Sequence, residues 1–154
     1  MKKKIIISVF ILGFALCAFA QDGKMSAGLG LEWNMNSRQN FAGGANLGFY
    51  YNFSGYLALG FIVTGSYNFF DFYAIEPAVL IRYYFLGEGY KGFFAQVDIG
   101  PFFIIENGKT DSMPEMGLRG GYRLPLNSSV FVEPYGRLGY PFAFGIGAMA
   151  GTYF

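Results

Sequence analysis

The residue types that could support chemistry in this chain are mainly carboxylates and guanidinium groups at even spacings. Glu115 and Glu133 could form a pair of carboxylates for general acid–base catalysis. Arg119, Arg123 and Arg137 lie at even spacings from them, so all five side chains share one face of an extended chain. Salt bridging is the simpler interpretation of this set, and we expect no catalytic pair.

The composition excludes several other kinds of site. The chain has no histidine and a single cysteine, Cys17, which removes histidine-based catalysis, histidine metal sites and cysteine metal clusters. Asp98, Glu106 and Asp111 do not have the spacing of a calcium-binding loop. The net charge is +1, so there is no basic footprint for nucleic acid. We therefore expect no cofactor, no resident metal ion and no enzymatic activity.

The N-terminus has the pattern of a secretory signal peptide. A basic start, Lys2 to Lys4, is followed by an apolar run from Ile5 to Phe14 and by a small-x-small cleavage site, Ala18-Phe19-Ala20. Cleavage between Ala20 and Gln21 would divide the chain into a leader, 1–20, and one mature domain, 21–154. The apolar run is shorter than the roughly 20 residues of a membrane-spanning helix, which argues against an uncleaved anchor.

The position of Cys17 is a poor match to a lipoprotein signal. Leu16 precedes the cysteine, whereas a lipoprotein signal has a small residue there and the cysteine at the cleavage point. We expect Cys17 to be discarded with the leader, with lipidation as the alternative. The mature domain then has no cysteine, which suits export into an oxidising compartment.

The mature domain alternates with the period of extended strands rather than that of helices. In the segment from Val130 to Tyr140, for example, Glu133, Tyr135 and Arg137 share one face. Short polar or glycine-rich breaks separate such segments, so neighbouring strands are expected to pair as antiparallel hairpins. The eight predicted strands are roughly 25–34, 41–53, 56–66, 72–85, 92–105, 114–124, 129–140 and 143–154.

One face of every predicted strand is apolar and rich in aromatic residues. Every charge inside a predicted strand lies on the opposite face. Hydrophobic residues are 53% of the chain and charged residues only 14%, against about 25% charged residues in a soluble domain. No charged residue occurs from Phe41 to Phe70. The charges inside strands, five acidic and four basic, are Glu32, Glu76, Arg82, Asp98, Glu115, Arg119, Arg123, Glu133 and Arg137.

This arrangement predicts an all-β fold, a closed antiparallel up-and-down barrel that spans lipid. A lipid-facing wall must be apolar, every backbone hydrogen bond must be made within the protein, and charges in the lumen are tolerated when they pair. Eight strands make a lumen just wide enough for side chains. We therefore expect the nearly balanced charges to form a self-neutralising plug, with a conduction or binding path as the alternative.

Prolines and aromatic residues add two expectations about the strands. Pro77, Pro101 and Pro134 fall inside predicted strands, and proline cannot donate a ladder hydrogen bond. We expect bulges at these positions or strand ends that differ from the predicted ones. Aromatic residues near strand ends are expected to form interfacial girdles; they are Tyr50, Tyr51, Phe69, Phe70, Tyr83, Tyr84, Phe85 and Tyr140.

The last predicted strand ends the chain on an aromatic residue. Its apolar face runs from Phe144 to Thr152 at alternate positions, and Tyr153 is followed by the terminal Phe154. This resembles the terminal aromatic β-signal of bacterial outer-membrane barrels. Together with the signal peptide, the chain resembles the small eight-stranded outer-membrane β-barrel family.

The resemblance implies an outer-membrane location, contact with outer-membrane lipid, and handling by periplasmic chaperones and the barrel assembly machinery, which recognises the last strand at Phe154. Outer-membrane barrel enzymes of lipid modification commonly use a His-Ser pair, and this chain has no histidine. The resemblance therefore does not extend to those enzymes.

The sequence thus predicts an exported integral outer-membrane barrel with a structural or membrane-integrity role. An even number of strands puts both termini on the periplasmic side. The outward loops, near 35–40, 67–71, 106–113 and 140–142, are then all short, which favours a structural role over host binding. The alternatives are a secreted soluble β-barrel that binds an apolar ligand and a narrow pore for small solutes.

Overall fold

The computed structural model of the chain describes residues 24–36, 41–68, 72–86, 90–106 and 108–154. The predicted leader, with Cys17 and the cleavage position between Ala20 and Gln21, lies outside these residues. Within the described residues, no helix is long and apolar enough to cross a membrane.

Eight strands follow one another around a single closed barrel. They are β1 (Met25–Asn36), β2 (Phe41–Asn52), β3 (Leu57–Tyr67), β4 (Phe72–Tyr84), β5 (Gly92–Glu106), β6 (Lys109–Pro125), β7 (Val130–Tyr140) and β8 (Phe142–Tyr153). Each strand pairs antiparallel with the next, and β8 pairs antiparallel with β1. The predicted closed antiparallel up-and-down barrel of eight strands is therefore confirmed.

The two ends of the described chain meet where the barrel closes. The backbone groups of Met25 and Phe154 exchange two hydrogen bonds, at N···O distances of 3.2 and 3.0 Å. The β1–β8 ladder continues from there to Asn36 opposite Phe142. We call this end of the barrel, which also holds the β2–β3, β4–β5 and β6–β7 turns, the terminal end, and the opposite end the far end.

The outer face of the wall is apolar on every strand. One exposed side chain from each strand in order illustrates this: Leu31, Leu47, Phe61, Val79, Ile99, Leu118, Leu138 and Ile146. The side chains between them point inward, because successive residues of a strand point to opposite faces of the sheet. The alternation seen in the sequence is therefore the division between the outside and the inside of the barrel.

The three prolines predicted to lie inside strands, Pro77, Pro101 and Pro134, interrupt the ladder without shifting it. Pairing between β4 and β5 stops around Pro77 and Pro101 and resumes in the same register, and the β6–β7 ladder has a similar gap around Pro134. Each proline removes a donor, but both strands keep the same number of residues. Gaps thus replace the bulges expected at these positions, and the register shift of the β1–β8 ladder lies at Met35 and Asn36.

The largest difference from the predicted strands concerns the β5–β6 hairpin. β6 begins at Lys109 rather than near residue 114, and it pairs with β5 up to Glu106 opposite Lys109. Gly108, with a φ of 75°, lies in the turn in the left-handed region that glycine adopts without a Cβ clash. The predicted loop 106–113 is therefore mostly strand. Residues 109–112 are polar on both faces, so no alternation was visible there.

Candidate functional site

All nine charged residues predicted for the lumen lie inside the barrel. Each is at most 5% exposed, because each occupies the inward phase of its strand. The structure joins them into a network of ion pairs and hydrogen bonds that runs from the terminal end to the far end. This network is the candidate site.

Near the terminal end, Glu133 forms ion pairs with two arginines. Its two oxygens accept hydrogen bonds from Nη1 of Arg82, at 3.0 and 2.8 Å, and one of them also accepts from Nε of Arg123. Arg82 further donates to Oε1 of Gln96, at 3.0 and 2.7 Å, and Arg123 donates to Oγ of Ser26, at 3.1 Å. One carboxylate and its arginines therefore connect five strands, β1, β4, β5, β6 and β7.

Aromatic rings enclose the same two guanidinium groups. Cζ of Arg82 lies 4.2 Å from the ring centroid of Tyr50 and 3.9 Å from that of Phe94, and Cζ of Arg123 lies 3.9 Å from that of Phe131. A cation over an aromatic face in a desolvated site is stabilised by about 2 kcal/mol. The rings thus offset part of the cost of burying the two charges.

Two of the aromatic residues predicted for the interfacial girdles line the lumen instead. Tyr50 and Tyr84 are buried, whereas Tyr51, Tyr83 and Tyr140 are exposed on the outer face. The prediction for Tyr50 and Tyr84 is wrong because the phase of the strand, and not the distance from its end, decides which way a side chain points. Phe69 and Phe70 lie outside the described residues.

At the middle of the lumen, Glu32 is the centre of the network. It accepts hydrogen bonds from Arg119 at 2.8 Å, Arg137 at 3.2 Å, Asn34 at 2.6 Å, Asn46 at 3.0 Å and Tyr135 at 2.9 Å. Arg119 also donates to Oδ1 of Asp98, at 3.3 Å, and Gln96 donates to the same oxygen, at 3.0 Å. The middle level is therefore joined to the terminal-end level through Gln96.

Towards the far end, Arg137 is shared by three carboxylates. Its Nη2 donates to Oε2 of Glu76, at 2.5 Å, and to Oε1 of Glu115, at 2.7 Å, while its Nη1 donates to Glu32. Oγ of Ser66 lies 3.4 Å from Oε1 of Glu76 and donates to it. Arg137 therefore links the far-end level to the middle one.

Apolar side chains close the network at both ends. At the far end, Phe102 and Phe142 pack edge to face with a centroid separation of 5.7 Å, together with Ala42 and Ala74. At the terminal end, Tyr84, Phe94, Phe131 and Met149 belong to a second buried apolar cluster. The charges therefore share the interior with apolar side chains, and at this low dielectric their attraction is only weakly screened.

The structure does not bring the suggested acid–base pair together. Glu115 binds Arg137 towards the far end, whereas Glu133 binds Arg82 and Arg123 near the terminal end. Each carboxylate accepts hydrogen bonds from guanidinium groups. The structure therefore pairs each of these two carboxylates with arginine and not with the other carboxylate.

The three carboxylates considered for calcium are also kept apart. Asp98 is buried in the lumen, whereas Glu106 and Asp111 are exposed on the hairpin at the far end. Among the described residues, no group of three His, Cys, Asp or Glu side chains could hold a metal ion.

Several neutral side chains of the network were not singled out from the sequence. They are Ser26, Asn34, Asn46 and Gln96, all hydrogen bonded to the charges. Each lies at an even spacing from a charged residue or from another polar residue of its own strand or of a paired one. The phase of alternation could therefore have identified them.

Comparisons with known proteins identify the fold. No family profile and no curated protein matches the chain. Among solved structures, the N-terminal β-barrel domain of Pseudomonas aeruginosa OprF aligns with a TM-score of 0.58 at 13% identity, over 84% of this chain and 97% of that one. Neisserial surface protein A (NspA) aligns with a TM-score of 0.59 at 11% identity, over 84% and 94%.

A third similar structure is Ail, the attachment invasion locus protein of Yersinia pestis. It aligns with a TM-score of 0.52 at 11% identity, over 84% of this chain and 95% of that one. At such low identity the likeness is one of fold. The chain therefore has the fold of the small eight-stranded outer-membrane β-barrels that its sequence resembles.

Proposed function

We propose that this chain is an exported integral outer-membrane protein with a structural role in membrane integrity, and that its lumen is a self-neutralising plug that does not conduct. The observation that carries the proposal is the network of nine buried charges, packed among apolar side chains that fill both ends of the lumen. The plug ties the strands to one another, and we propose no enzymatic activity for it.

The apolar outer wall supports a location in lipid. Each strand exposes large apolar side chains, with Leu31 71% and Val79 64% exposed. Contiguous apolar surface of this extent is rare on soluble monomers, and hydrocarbon is the solvent that such a wall fits.

The lumen argues against a soluble barrel that carries an apolar ligand. Such a ligand would have to displace Arg82 from Glu133 and Arg119 from Glu32. Separating a buried ion pair costs about 3–5 kcal/mol when one partner is lost, and an apolar ligand offers nothing to replace it. The same cost opposes a continuous aqueous path through the network.

Membrane fractionation and gel electrophoresis test the location and the closed barrel. We expect the protein in the outer-membrane fraction, with a mobility that differs between unboiled and boiled samples because a stable barrel stays compact in detergent. Recovery in the soluble periplasm without a mobility shift would exclude the membrane assignment.

Conductance in planar bilayers tests the plug. We expect no stepwise currents from the wild-type barrel, nor from the variant Phe102→Ala/Phe142→Ala, which removes the far-end apolar layer but leaves every ion pair. The unboiled gel shows whether the variant is folded. Regular current steps from the wild type would favour the narrow pore, and steps from the variant alone would assign the barrier to the phenylalanine layer.

The proposed assembly signal has its own test. Phe154 lies at the seam, where its backbone pairs with that of Met25. We expect Phe154→Ala to reduce outer-membrane recovery severalfold in cells while folding into detergent in vitro stays unchanged. Phe53→Ala, which removes an exposed phenylalanine elsewhere, is the control. Equal recovery of both variants would contradict a role for Phe154 in recognition by the assembly machinery.

A further inference from the structure

A groove crosses the outer face of the barrel wall from β5 to β8. Its volume is about 700 Å³, and its lining includes Phe93 of β5, Tyr122 of β6 and Ile146 of β8. The rings of Phe93 and Tyr122 pack edge to face with a centroid separation of 4.8 Å, and together they form one side of the groove. We call this feature the wall groove.

Two opposed glycines form the floor of the wall groove. Gly120 of β6 and Gly136 of β7 are direct partners in the β6–β7 ladder, and both line the groove. The next residues of the outer face towards the far end, Leu118 and Leu138, are also partners and are both exposed leucines. The outer wall is therefore reduced to bare backbone at the two glycines, between large apolar side chains.

The packing of the barrel itself does not require glycine at these two positions. An added Cβ at Gly120 or Gly136 would meet no atom closer than 3.9 Å, and neither residue has a positive φ. At Gly121, by contrast, an added Cβ would lie 2.5 Å from the carbonyl oxygen of Pro134. Glycine in a strand interior often marks a place where a ligand approaches the backbone closely, and here the open side is the outer face.

The length and lining of the wall groove match a single acyl chain. The groove begins near the terminal end, where Phe85 and Phe93 flank the β4–β5 turn, and it ends at Ile146. Three interstrand spacings separate β5 from β8, which corresponds to about 14 Å. One leaflet contributes about 15 Å, half of the hydrocarbon core of a bilayer. A chain that enters from the surface at the terminal end therefore fits along the groove.

A basic residue lies next to the beginning of the wall groove. Lys91 is exposed and precedes Phe93 by two residues. Among the described residues of the terminal end, the exposed charged side chains are those of Lys24 and Lys91, both basic. Lysine at the membrane surface attracts the headgroups of anionic lipids. The apolar groove is thus continued at the membrane surface by a charge complementary to a lipid phosphate.

We propose that the wall groove binds one anionic phospholipid, with an acyl chain lying over Gly120 and Gly136 and the phosphate at Lys91. This rests on the proposed function, which puts the wall in lipid and the terminal end at the periplasmic leaflet. The bound chain contacts the bare backbone and the flanking aromatic rings, so it is held more tightly than the lipids around the rest of the wall.

A second copy of this chain fits the wall groove less well. Two barrels in the same membrane that met through their grooves would be related by a two-fold axis along the membrane normal. This arrangement would bring Lys91 of one copy towards Lys91 of the other, and like charges repel. A phospholipid brings the opposite charge instead.

Native mass spectrometry of the detergent-purified barrel, titrated with phosphatidylglycerol, tests the acyl-chain contact. We expect one molecule to bind at least about tenfold more tightly than any further one. Gly136→Leu fills the groove and should weaken this binding at least about tenfold. Gly65→Leu is the matched control, because Gly65 is also an exposed strand glycine and an added Cβ there meets no atom within 4 Å. It should stay within about twofold of wild type.

Phosphatidylcholine with the same acyl chains tests the headgroup contact. It has no net charge, so wild type should bind it at least about fivefold more weakly than phosphatidylglycerol. Lys91→Gln should abolish this preference. Lys109→Gln, which removes an exposed lysine of the far end, is the control and should retain it.

The heat-dependent mobility shift reports whether each variant forms the barrel. Equal binding of phosphatidylglycerol to wild type and Gly136→Leu, or an unchanged lipid preference in Lys91→Gln, would overturn the proposal. A dimer that Gly136→Leu dissociates would also overturn it and assign the groove to a second copy. Recovery outside the outer membrane would contradict the proposed function, whereas an outer-membrane barrel without the lipid preference would overturn the wall groove as a lipid site alone.

Discussion

Single glycines decide whether the lumen can hold its side chains. An added Cβ at Gly147 would lie 2.6 Å from Cζ and from the hydroxyl oxygen of Tyr135 and 2.7 Å from the carbonyl oxygen of Leu31. Tyr135 is the residue that donates to Glu32. The absence of a side chain at Gly147 is therefore a condition for the central hydrogen bonds.

The substitution Gly147→Ala is expected to destabilise the barrel by about 1–3 kcal/mol, the usual cost of overpacking a filled interior. The matched control is Gly65→Ala, also in a strand, where an added Cβ meets no atom within 4 Å. We expect the control to change the free energy of unfolding by less than about 0.5 kcal/mol. Urea titration of the folded form in liposomes measures both, and equal effects would contradict the packing argument.

Buried charges are the other decisive feature at this scale. The substitution Glu133→Gln would leave Arg82 and Arg123 without their shared carboxylate, and breaking a buried pair costs about 3–5 kcal/mol. Glu106→Gln, which changes an exposed carboxylate, is expected to cost less than about 0.5 kcal/mol. The same urea titration compares them. A loss below about 1 kcal/mol for Glu133→Gln would mean that the network contributes little to stability.

At the scale of elements, β6 is a strand in two environments. From Met116 to Gly121 it is paired on both sides, and its outer side chains, such as Leu118, belong to the apolar wall. The residues of β6 that precede Met116 are paired only with β5. Their outer side chains, such as Thr110, are polar. One strand thus passes from lipid to water along its length.

Arginine scanning of β6 is expected to locate this transition. Leu118→Arg should destabilise the barrel by about 2–4 kcal/mol, the cost of a cation on the lipid face near the bilayer midplane. Thr110→Arg, on the same face of the same strand, should cost less than about 1 kcal/mol. Unfolding free energies in phosphatidylcholine liposomes measure both. Equal costs of the two substitutions would show that the boundary between lipid and water does not lie between Leu118 and Thr110.

For the whole molecule, the decisive feature is closure. The β1–β8 seam joins residues that are more than a hundred positions apart in sequence, such as Leu29 opposite Ala150. Without this ladder, β1 and β8 would each present an unpaired edge, which hydrocarbon cannot satisfy. Pairing of the last strand with the first therefore completes the sheet and leaves neither strand with an unpaired edge.

A disulfide across the seam is expected to form and to stabilise the barrel. Leu29→Cys/Ala150→Cys places the two cysteines at directly opposed positions, for which Cα separations suit a disulfide. The bridge closes a loop of about 120 residues and should add up to about 4 kcal/mol to the unfolding free energy, reversibly on reduction.

Leu29→Cys/Ile99→Cys is the control for the seam disulfide, because β5 does not pair with β1. It should remain reduced in the folded barrel. A disulfide that forms equally well in the control would argue for an open or mobile sheet instead of a closed one.

Much of the fold and of the candidate site could be predicted from local patterns. The phase of alternation placed Arg82, Asp98 and Glu133 on the charged face, and the structure has all three inside. A strand has a fixed period of two, so the direction of a side chain depends only on its neighbours in sequence. The same reasoning failed for residues 109–112, where both faces are polar.

The pairing of the charges could not be predicted. Arg82 and Glu133 are 51 residues apart, and Arg137 and Glu32 are 105 residues apart. Which carboxylate meets which guanidinium depends on the register of every ladder between them and on the tilt that closes the barrel. No local pattern contains these quantities.

The sequence by itself determined the number of strands, the two faces of the wall and the types of residue that fill the lumen, because each of these follows from composition and a period of two. Only the tertiary structure decided that Glu133 binds Arg82 and Arg123, that Glu32 joins the middle of the network, and that β6 extends beyond β7 at the far end. These contacts arise when eight ladders close on one another, and closure is a property of the whole chain.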